Sequence, residues 1–173
     1  MKKFIPDIYQ KNIYVIDYSK LLASGINTLL FDLDNTIISS KTKEMPEKAK
    51  TLFIRLKQKG FKIIIFSNSP KKKVNKYKDY LNVEGIYFAL KPLSKSFKKV
   101  IKKHQLEINK IAIIGDQLLT DVLGGNKMKI KTILVNPISK KESPFTFFNR
   151  RIEKRIMKKL ETKKLFVKGR YYE

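Results

Sequence analysis

Four short apolar runs constrain the fold of this chain more than any other feature of the sequence. They are rich in Ile, Leu and Val and continuous rather than alternating, as is typical of strands covered on both faces of a parallel sheet. The runs are INTLLF (26–31), KIIIFS (62–67), KIAIIG (110–115) and KTILV (131–135), with GIYFAL (85–90) as a weaker fifth candidate. We therefore predict a sheet built mainly from these segments.

Segments with helical spacing separate the apolar runs. In MPEKAKTLFIRLKQKG, apolar residues recur on one face, Pro46 suits the first helical turn and Gly60 suits the position just past the end. The segment SKSFKKVIKKH repeats the pattern. Strands that alternate with helices indicate βαβ units. The sequence thus predicts an α/β fold, a Rossmann-like doubly wound open parallel sheet with ligands bound at the carboxyl ends of the strands.

The length of 173 residues predicts one domain with a short appendage. We assign residues 1–140 to the α/β domain and residues 141–173 to a basic, amphipathic helical extension. In this extension, apolar residues recur every three or four positions among Arg and Lys; they are Phe148, Ile152, Ile156 and Leu160. This stripe could lie on an anionic membrane or pack on the sheet with its basic face solvated. An RNA-binding tail is a third alternative, without a recognisable RNA-binding motif.

The net charge of +24 is the unusual compositional feature of the chain. Such an excess predicts attraction to nucleic acid, anionic lipid surfaces or phosphorylated substrates, although a compositional bias towards lysine would also produce it. The absence of cysteine excludes disulfides and thiolate metal sites. The apolar runs are too short for membrane spans, and MKKFIPDIYQK does not resemble a signal peptide. We expect a cytoplasmic protein, with peripheral membrane contact as a further expectation.

Two carboxylates, Asp32 and Asp34, follow the first apolar run in LLFDLDNT. Residues i and i+2 of an extended segment point to the same side, so both carboxylates can face one small site. Two such close acids resist simultaneous ionisation unless a cation joins them or one holds a proton. The pair therefore indicates either a Mg²⁺ site or a protonated carboxyl that acts as a general acid.

Other polar residues follow the remaining runs at the same predicted edge of the sheet. Ser67 and Asn68 follow KIIIF, and Lys91 follows the weak fifth run. The segment GDQLLTD places Asp116 at the end of its strand and Asp121 one helical turn further on. Hydroxyl, ammonium and carboxylate groups that converge on one site match the requirements of phosphoryl transfer.

These four motifs, in this order and spacing, resemble those of the haloacid dehalogenase (HAD) superfamily of phosphatases. The resemblance covers roughly residues 25 to 137 and lies in DLDNT, the Ser of IIIFSN, Lys91 and GDQLLTD. It implies that Asp32 is the nucleophile that forms an aspartyl-phosphate. It also implies that Asp34 protonates the leaving oxygen and then activates water. Mg²⁺ would lie between the Asp32 carboxylate, the Asp34 backbone carbonyl and Asp116.

The resemblance also implies roles for five supporting residues. Ser67 and the Asn68 amide would bind the phosphoryl group, while Lys91 would offset its negative charge. Asp121 would orient the metal shell or Lys91, and Thr36 would steady the first motif. In a chain so rich in lysine, the alternative for Lys91 is an ordinary surface position. Ser69 similarly competes with Ser67 for the role of the second motif.

The gaps between the motifs leave no room for a cap domain, as in the capless subclass III enzymes. FIPD, DLDNT, GDQLLTDVLGGN and the Asn-Arg-Arg of TFFNRR resemble the YqeG-type branch of that subclass. This branch is similar to the mitochondrial phosphatase that converts phosphatidylglycerophosphate to phosphatidylglycerol, which implies a role in phospholipid metabolism. The alternatives are a soluble phosphatase acting on nucleotides, sugar phosphates or nucleic-acid ends, and a non-catalytic module that binds RNA or the ribosome.

Overall fold

The computed structural model of the protein describes residues 1–39, 44–139 and 144–173. Within these ranges, six parallel strands form one sheet in the order β1-β6-β5-β2-β3-β4. The strands are Ile8–Gln10 (β1), Thr28–Phe31 (β2), Lys62–Phe66 (β3), Glu84–Ile86 (β4), Ile111–Gly115 (β5) and Lys131–Val135 (β6). All four main apolar runs form strands, so the predicted parallel α/β sheet is confirmed.

The structure differs from the sequence prediction at both edges of the sheet. β1 was not predicted, because three residues are too few to show a periodic pattern. It pairs with β6, and on its other side Tyr9 forms an antiparallel bridge with Tyr172. The weak fifth run forms a strand only over Glu84–Ile86, and residues 87–90 leave the sheet.

Six α-helices connect or cover the strands in the described residues. They are Tyr18–Ala23 (α1), Glu47–Gln58 (α2), Lys71–Leu81 (α3), Ser94–His104 (α4), Leu123–Met128 (α5) and Pro144–Thr162 (α6). A π-helical turn, Leu118–Val122, precedes α5. In α2, the predicted apolar face is buried against the sheet, where Phe53 packs on Phe31 with ring centroids 4.9 Å apart. Gly60 takes a φ of +91°, a conformation that glycine accepts without strain.

The core lies on both faces of the sheet, as expected for a doubly wound fold. One layer buries residues of α1, α2 and α3, such as Leu21, Phe53 and Val74, against the sheet. The opposite layer buries Phe97 and Val100 of α4 against residues of the central strands. From β2 the strand order runs through β3 and β4 to one edge, whereas β5 and β6 lie on the other side of β2. The carboxyl ends of β2 and β5, where the strand order reverses, are therefore the expected ligand site.

The connections that flank the site are short. In the described residues, the only helix between β2 and β3 is α2, and the only helix between β3 and β4 is α3. Residues 40–43, between β2 and α2, lie outside the described part. The described connections therefore contain no inserted cap domain, and they leave the carboxyl edge of the sheet uncovered by one.

The C-terminal helix α6 contacts the molecule through the second half of its apolar stripe. Leu160 is fully buried with Leu118 and Phe166, and Ile156 packs against the same cluster. Phe148, near the start of the helix, is instead exposed. The C-terminal half of α6 thus packs on the domain. The predicted domain boundary between residues 140 and 141 stays a prediction. None of the helices in the described ranges combines the length and apolar character that a membrane span requires.

Candidate active site

Asp32 and Asp116 lie at the carboxyl ends of β2 and β5, where the strand order of the sheet reverses. Asp32 directly follows β2, and its N–H donates to the carbonyl of Ile114 in β5 at 2.9 Å. Asp116 directly follows β5. A Cβ atom on Gly115 would lie only 2.2 Å from the carboxyl carbon of Asp121. Glycine therefore precedes Asp116 because no side chain fits between the strand and the Asp121 carboxylate.

Lys91 is buried in the centre of the site. Its Nζ atom lies 2.6 Å from Asp32 Oδ1 and 2.7 Å from Asp121 Oδ1, and only 5% of the residue is exposed. Asn68 positions the lysine, because its side chain accepts from Lys91 N–H at 2.8 Å and donates to Lys91 O at 3.2 Å. The alternative that Lys91 is an ordinary surface lysine is therefore wrong.

Three carboxylates converge next to this lysine. Asp32, Asp116 and Asp121 each offer an oxygen, and these oxygens lie within 4.8 Å of one another. The Thr36 hydroxyl lies between two of them, 3.5 Å from Asp32 Oδ2 and 3.4 Å from Asp116 Oδ1. Carboxylate oxygens in such a cluster are the ligands that Mg²⁺ prefers. The residues present therefore fit a magnesium ion.

Burial dominates the electrostatics of the three-acid cluster. It raises the pKa of Asp32 to about 7, with Lys91 opposing the rise and Asp121 adding to it. Burial also raises the pKa of Asp116 well above its usual value, against the opposing effect of Arg150. Burial alone would lower the pKa of Lys91, but Asp121 and Asp32 outweigh it and raise that pKa. Fully ionised, the three acids would carry one more negative charge than Lys91 and Arg150 offset together, which favours a further cation.

Asp34 has different surroundings from Asp32, although both belong to the same motif. Its carboxylate is partly exposed, accepts a hydrogen bond from the Ser69 hydroxyl and pairs with Lys73 of α3. The following residue, Asn35, takes a left-handed φ of +61° and donates its N–H to Ile38 O at 2.7 Å. The Asp34 carboxylate is not one of the three clustered acids. Its predicted metal contact, through the backbone carbonyl, stays a prediction.

Ser67 and Asn68 lie at the end of β3, as predicted. Ser67 is buried, and its hydroxyl accepts the N–H of Ser69 at 3.1 Å. Ser69, the competing serine, contacts Asp34 rather than the three-acid cluster. The Asn68 side chain binds the backbone of Lys91, so we now assign that side chain to positioning the lysine. Phosphoryl contacts from Ser67 and the Asn68 amide stay predictions.

Two residues of α6 that sequence reasoning did not assign to the site also reach it. Arg150 pairs with the Asp116 carboxylate, donates to Asp116 O at 2.7 Å and contacts Glu153 Oε2 at 2.8 Å. Glu153 is buried and accepts the N–H of Leu119 at 2.9 Å. Burial raises the pKa of Glu153, and Arg150 opposes that rise. The helix is therefore tied to the Asp116 loop. The sequence indicated the Asn-Arg-Arg segment only as a resemblance to the family and gave Arg150 no role in the site. No sequence feature pointed to Lys73 as a partner of Asp34.

Comparisons with known structures support the fold. The chain resembles the HAD-hydrolase YfnB from Bacillus subtilis, whose crystal structure has bound magnesium, with a TM-score of 0.55 and 17% identity over 69% of this chain and 90% of that one. It also resembles a HAD superfamily (subfamily III A) hydrolase from Legionella pneumophila, with a TM-score of 0.50 and 16% identity over 70% and 72% of the two chains. The predicted HAD fold is confirmed.

Sequence relatives are phosphatases by name. The chain is 36% identical to "Probable phosphatase YqeG" of Bacillus subtilis (strain 168), over 94% of each protein. It is 24% identical to "Phosphatidylglycerophosphate phosphatase 1, chloroplastic/mitochondrial" of Arabidopsis thaliana, over 90% of this chain but only 47% of the length of that protein. Residues 1–139 match the family model described as "Mitochondrial PGP phosphatase". The chain therefore belongs to this family of HAD-type phosphatases.

Proposed function

We propose that this phosphatase is a Mg²⁺-dependent phosphate monoester hydrolase that converts phosphatidylglycerophosphate to phosphatidylglycerol through an aspartyl-phosphate. The observation that carries the proposal is the buried cluster of Asp32, Asp116 and Asp121, in which Lys91 pairs with Asp32 and Asp121. Lys91 Nζ, 2.6 Å from Asp32 Oδ1, opposes the rise that burial causes in the pKa of Asp32 and so favours the ionised, nucleophilic form of this acid.

In the first step, a carboxylate oxygen of Asp32 attacks phosphorus while the bond from phosphorus to the alcohol oxygen breaks. Asp34, in its protonated form, donates a proton to that departing oxygen, so the lipid leaves with a hydroxyl group rather than an alkoxide. Ser69 and Lys73 hold the Asp34 carboxyl group in place for this transfer. In the second step, Asp34 accepts a proton from water as the water attacks phosphorus. Inorganic phosphate then leaves and Asp32 is regenerated.

The acidic cluster would hold the magnesium ion. Asp32 and Asp116 would supply carboxylate oxygens, the Asp34 carbonyl would be a third protein ligand, and Asp121 would orient the shell. When bound, Mg²⁺ supplies positive charge to the phosphoryl oxygens in the transition state. Thr36 contacts both Asp32 and Asp116, and Lys91 contributes positive charge next to Asp32.

The lipid substrate is supported by the family description and by the name of the Arabidopsis relative. The described connections contain no cap domain, so a phosphate group on a large or surface-bound substrate could reach the site. The high positive charge would attract the enzyme to an anionic membrane. We accordingly propose a cytoplasmic enzyme that contacts this membrane peripherally.

The test is phosphate release from a panel of substrates with and without Mg²⁺. We expect phosphatidylglycerophosphate in vesicles to be the preferred substrate, ahead of nucleotides, sugar phosphates and phosphorylated nucleic-acid ends. Chelation should abolish turnover, and Mg²⁺ should restore it. The Asp32→Asn variant is the matched control for contaminating phosphatase. Equal turnover by this variant and the wild type would overturn the catalytic assignment, and hydrolysis of soluble phosphates alone would overturn the lipid assignment.

A further inference from the structure

The most exposed large apolar side chains of the described residues lie near the candidate active site in the chain. The four highest exposed fractions are 66% for Phe148, 59% for Leu90, 56% for Phe88 and 55% for Leu93. Phe148 precedes Arg150 by two residues, and the other three lie within three residues of Lys91. Exposed apolar residues are ordinarily scattered over a protein surface, so this grouping requires an explanation.

Residues 87–93 form what we call the apolar loop. Its backbone is fixed to the end of β3, because Phe88 N–H donates to Ser69 O at 3.0 Å and Ala89 N–H donates to Ser67 O at 2.9 Å. Ala89 is buried between its two exposed neighbours. The loop therefore holds its large side chains outwards on a backbone that hydrogen bonds keep in place.

Two residues of the apolar loop have a backbone conformation that disfavours their own side chains. Phe88 has a φ of +44° and Leu90 a φ of +51°, in the left-handed region that glycine and asparagine accept most readily. Folding alone would favour glycine or asparagine at these two exposed positions rather than phenylalanine and leucine. Strain of this kind at a functional site indicates that the side chains serve another purpose.

Positive charge lies beside the apolar loop. Lys71 and Lys72 are exposed at the start of α3, on the same edge of the sheet, and Lys71 Nζ lies 5.7 Å from the centre of the Tyr87 ring. The sequence from 85 to 106 contains no Asp or Glu. Apolar side chains flanked by lysines fit the boundary between the headgroups and acyl chains of an anionic bilayer. An acidic group on a protein partner would match the lysines but not the apolar surface.

We infer that the apolar loop docks the enzyme on an anionic lipid bilayer. The boundary between headgroups and acyl chains receives the side chains of Phe88, Leu90 and Leu93. The lipid headgroups contact Lys71 and Lys72. Since Lys91 directly follows Leu90 and contacts Asp32, docking brings the catalytic cluster to the headgroup phosphates. The inference rests on the proposed function, because a lipid substrate is the reason for docking on a membrane. Its test measures binding to vesicles that contain no substrate, so that membrane docking and the proposed substrate can fail separately.

The experiment measures co-flotation of the full chain with vesicles of phosphatidylcholine alone or mixed with phosphatidylglycerol. The loop variant is Phe88→Asn with Leu90→Asn, because asparagine tolerates a positive φ and should leave the melting temperature unchanged or raised. We expect its affinity for mixed vesicles to fall at least about tenfold, from the loss of two buried apolar side chains. Lys71→Gln with Lys72→Gln should weaken binding by roughly fivefold or more, and only on anionic vesicles.

The matched control is Leu22→Asn with Ile108→Asn. These exposed apolar residues lie before β2 and β5, towards the opposite edge of the sheet, and their loss should leave vesicle binding unchanged. Equal binding by the loop variant and the wild type, or no binding of the wild type to either vesicle, would overturn the inference. So would equal affinity of the wild type for both vesicles. Loop-dependent binding without hydrolysis of phosphatidylglycerophosphate would instead overturn only the proposed substrate.

Discussion

Asp32 and Asp34 are two residues apart in one motif, but the protein gives them different environments. The Asp32 side chain is 9% exposed and pairs with a lysine side chain that is 1% exposed. The Asp34 side chain is 28% exposed and pairs with Lys73, which is 36% exposed. A carboxylate enclosed with a fixed ammonium group suits attack on phosphorus. One with access to solvent suits the exchange of protons with water and a leaving group.

Substitution of the two acids should affect turnover by very different factors, and this is the largest effect that we expect. Asp32→Asn removes the proposed nucleophile, and we expect turnover to fall by on the order of 10⁶, as for other enzymes that lose a nucleophile. Asp34→Asn removes only proton transfer, so turnover should fall by roughly 10² to 10⁴. Steady-state phosphate release, with Mg²⁺ saturating, measures both variants.

A single-turnover experiment sharpens this difference. The Asp34→Asn variant retains the nucleophile, so an activated substrate with a good leaving group should label Asp32 with phosphate that hydrolyses slowly. The Asp32→Asn variant should show no label. Melting temperatures establish that both variants are folded. Equal losses of turnover, or labelling of the Asp32→Asn protein, would contradict the division of roles.

Lys91 and Lys73 are expected to contribute very differently to the stability of the fold. Lys91→Met leaves Asp32 and Asp121 buried without their shared cation, so the free energy of unfolding should fall by about 3–5 kcal/mol. Lys73→Met breaks a partly exposed pair with Asp34, and the loss should be less than about 1 kcal/mol. Urea denaturation of the metal-free proteins near neutral pH measures both values.

Low pH provides the control for the lysine comparison. Protonation of Asp32 removes its uncompensated charge. The loss of unfolding free energy caused by Lys91→Met should therefore become smaller as pH falls below the raised pKa of Asp32. The defect of Lys73→Met should stay small throughout. Similar losses for both variants at neutral pH would show that burial does not distinguish the two carboxylates.

The central part of the fold was predictable because its strands are covered on both faces. β2, β3, β5 and β6 are continuous apolar runs, and that pattern is a direct consequence of burial. β1 was not predictable, since its three residues gain their strand conformation from pairing with β6 and Tyr172. Edge strands of this length depend on tertiary contacts that leave no local periodicity.

The site was predictable where its residues follow strands. Asp32 and Asp116 directly follow β2 and β5, and Lys91 follows the weak fifth run, although β4 itself ends at Ile86. The rule for strand ends therefore placed the three residues together. Arg150 was not placed there, because its contact with Asp116 depends on how α6 docks against the sheet. Lys73 likewise depends on the rotation of α3 about its axis. Neither geometry follows from the spacing of residues in the sequence.

The smallest predicted effect is the pH dependence of magnesium binding. The folded pKa of Asp32, about 7, lies above its unfolded value of about 3.9. Its contribution to stability is therefore fully present below about pH 4 and is lost as pH rises through about 7. Because the metal requires ionised carboxylates, Mg²⁺ should raise the melting temperature more at about pH 8 than at about pH 6.

The affinity for Mg²⁺ should fall by up to about tenfold for each pH unit below 7, if one proton is displaced from the Asp32 and Asp116 region. Thermal unfolding over a series of Mg²⁺ concentrations gives this affinity at each pH. Asp34→Asn is the matched control, because the Asp34 carboxylate lies outside the three-acid cluster. The slope of the logarithm of Mg²⁺ affinity against pH should be the same in this variant as in the wild type. A slope that disappears in Asp34→Asn would place the displaced proton on Asp34. The metal would then depend on the solvent-accessible carboxylate, and the contrast between the two acids would be reversed.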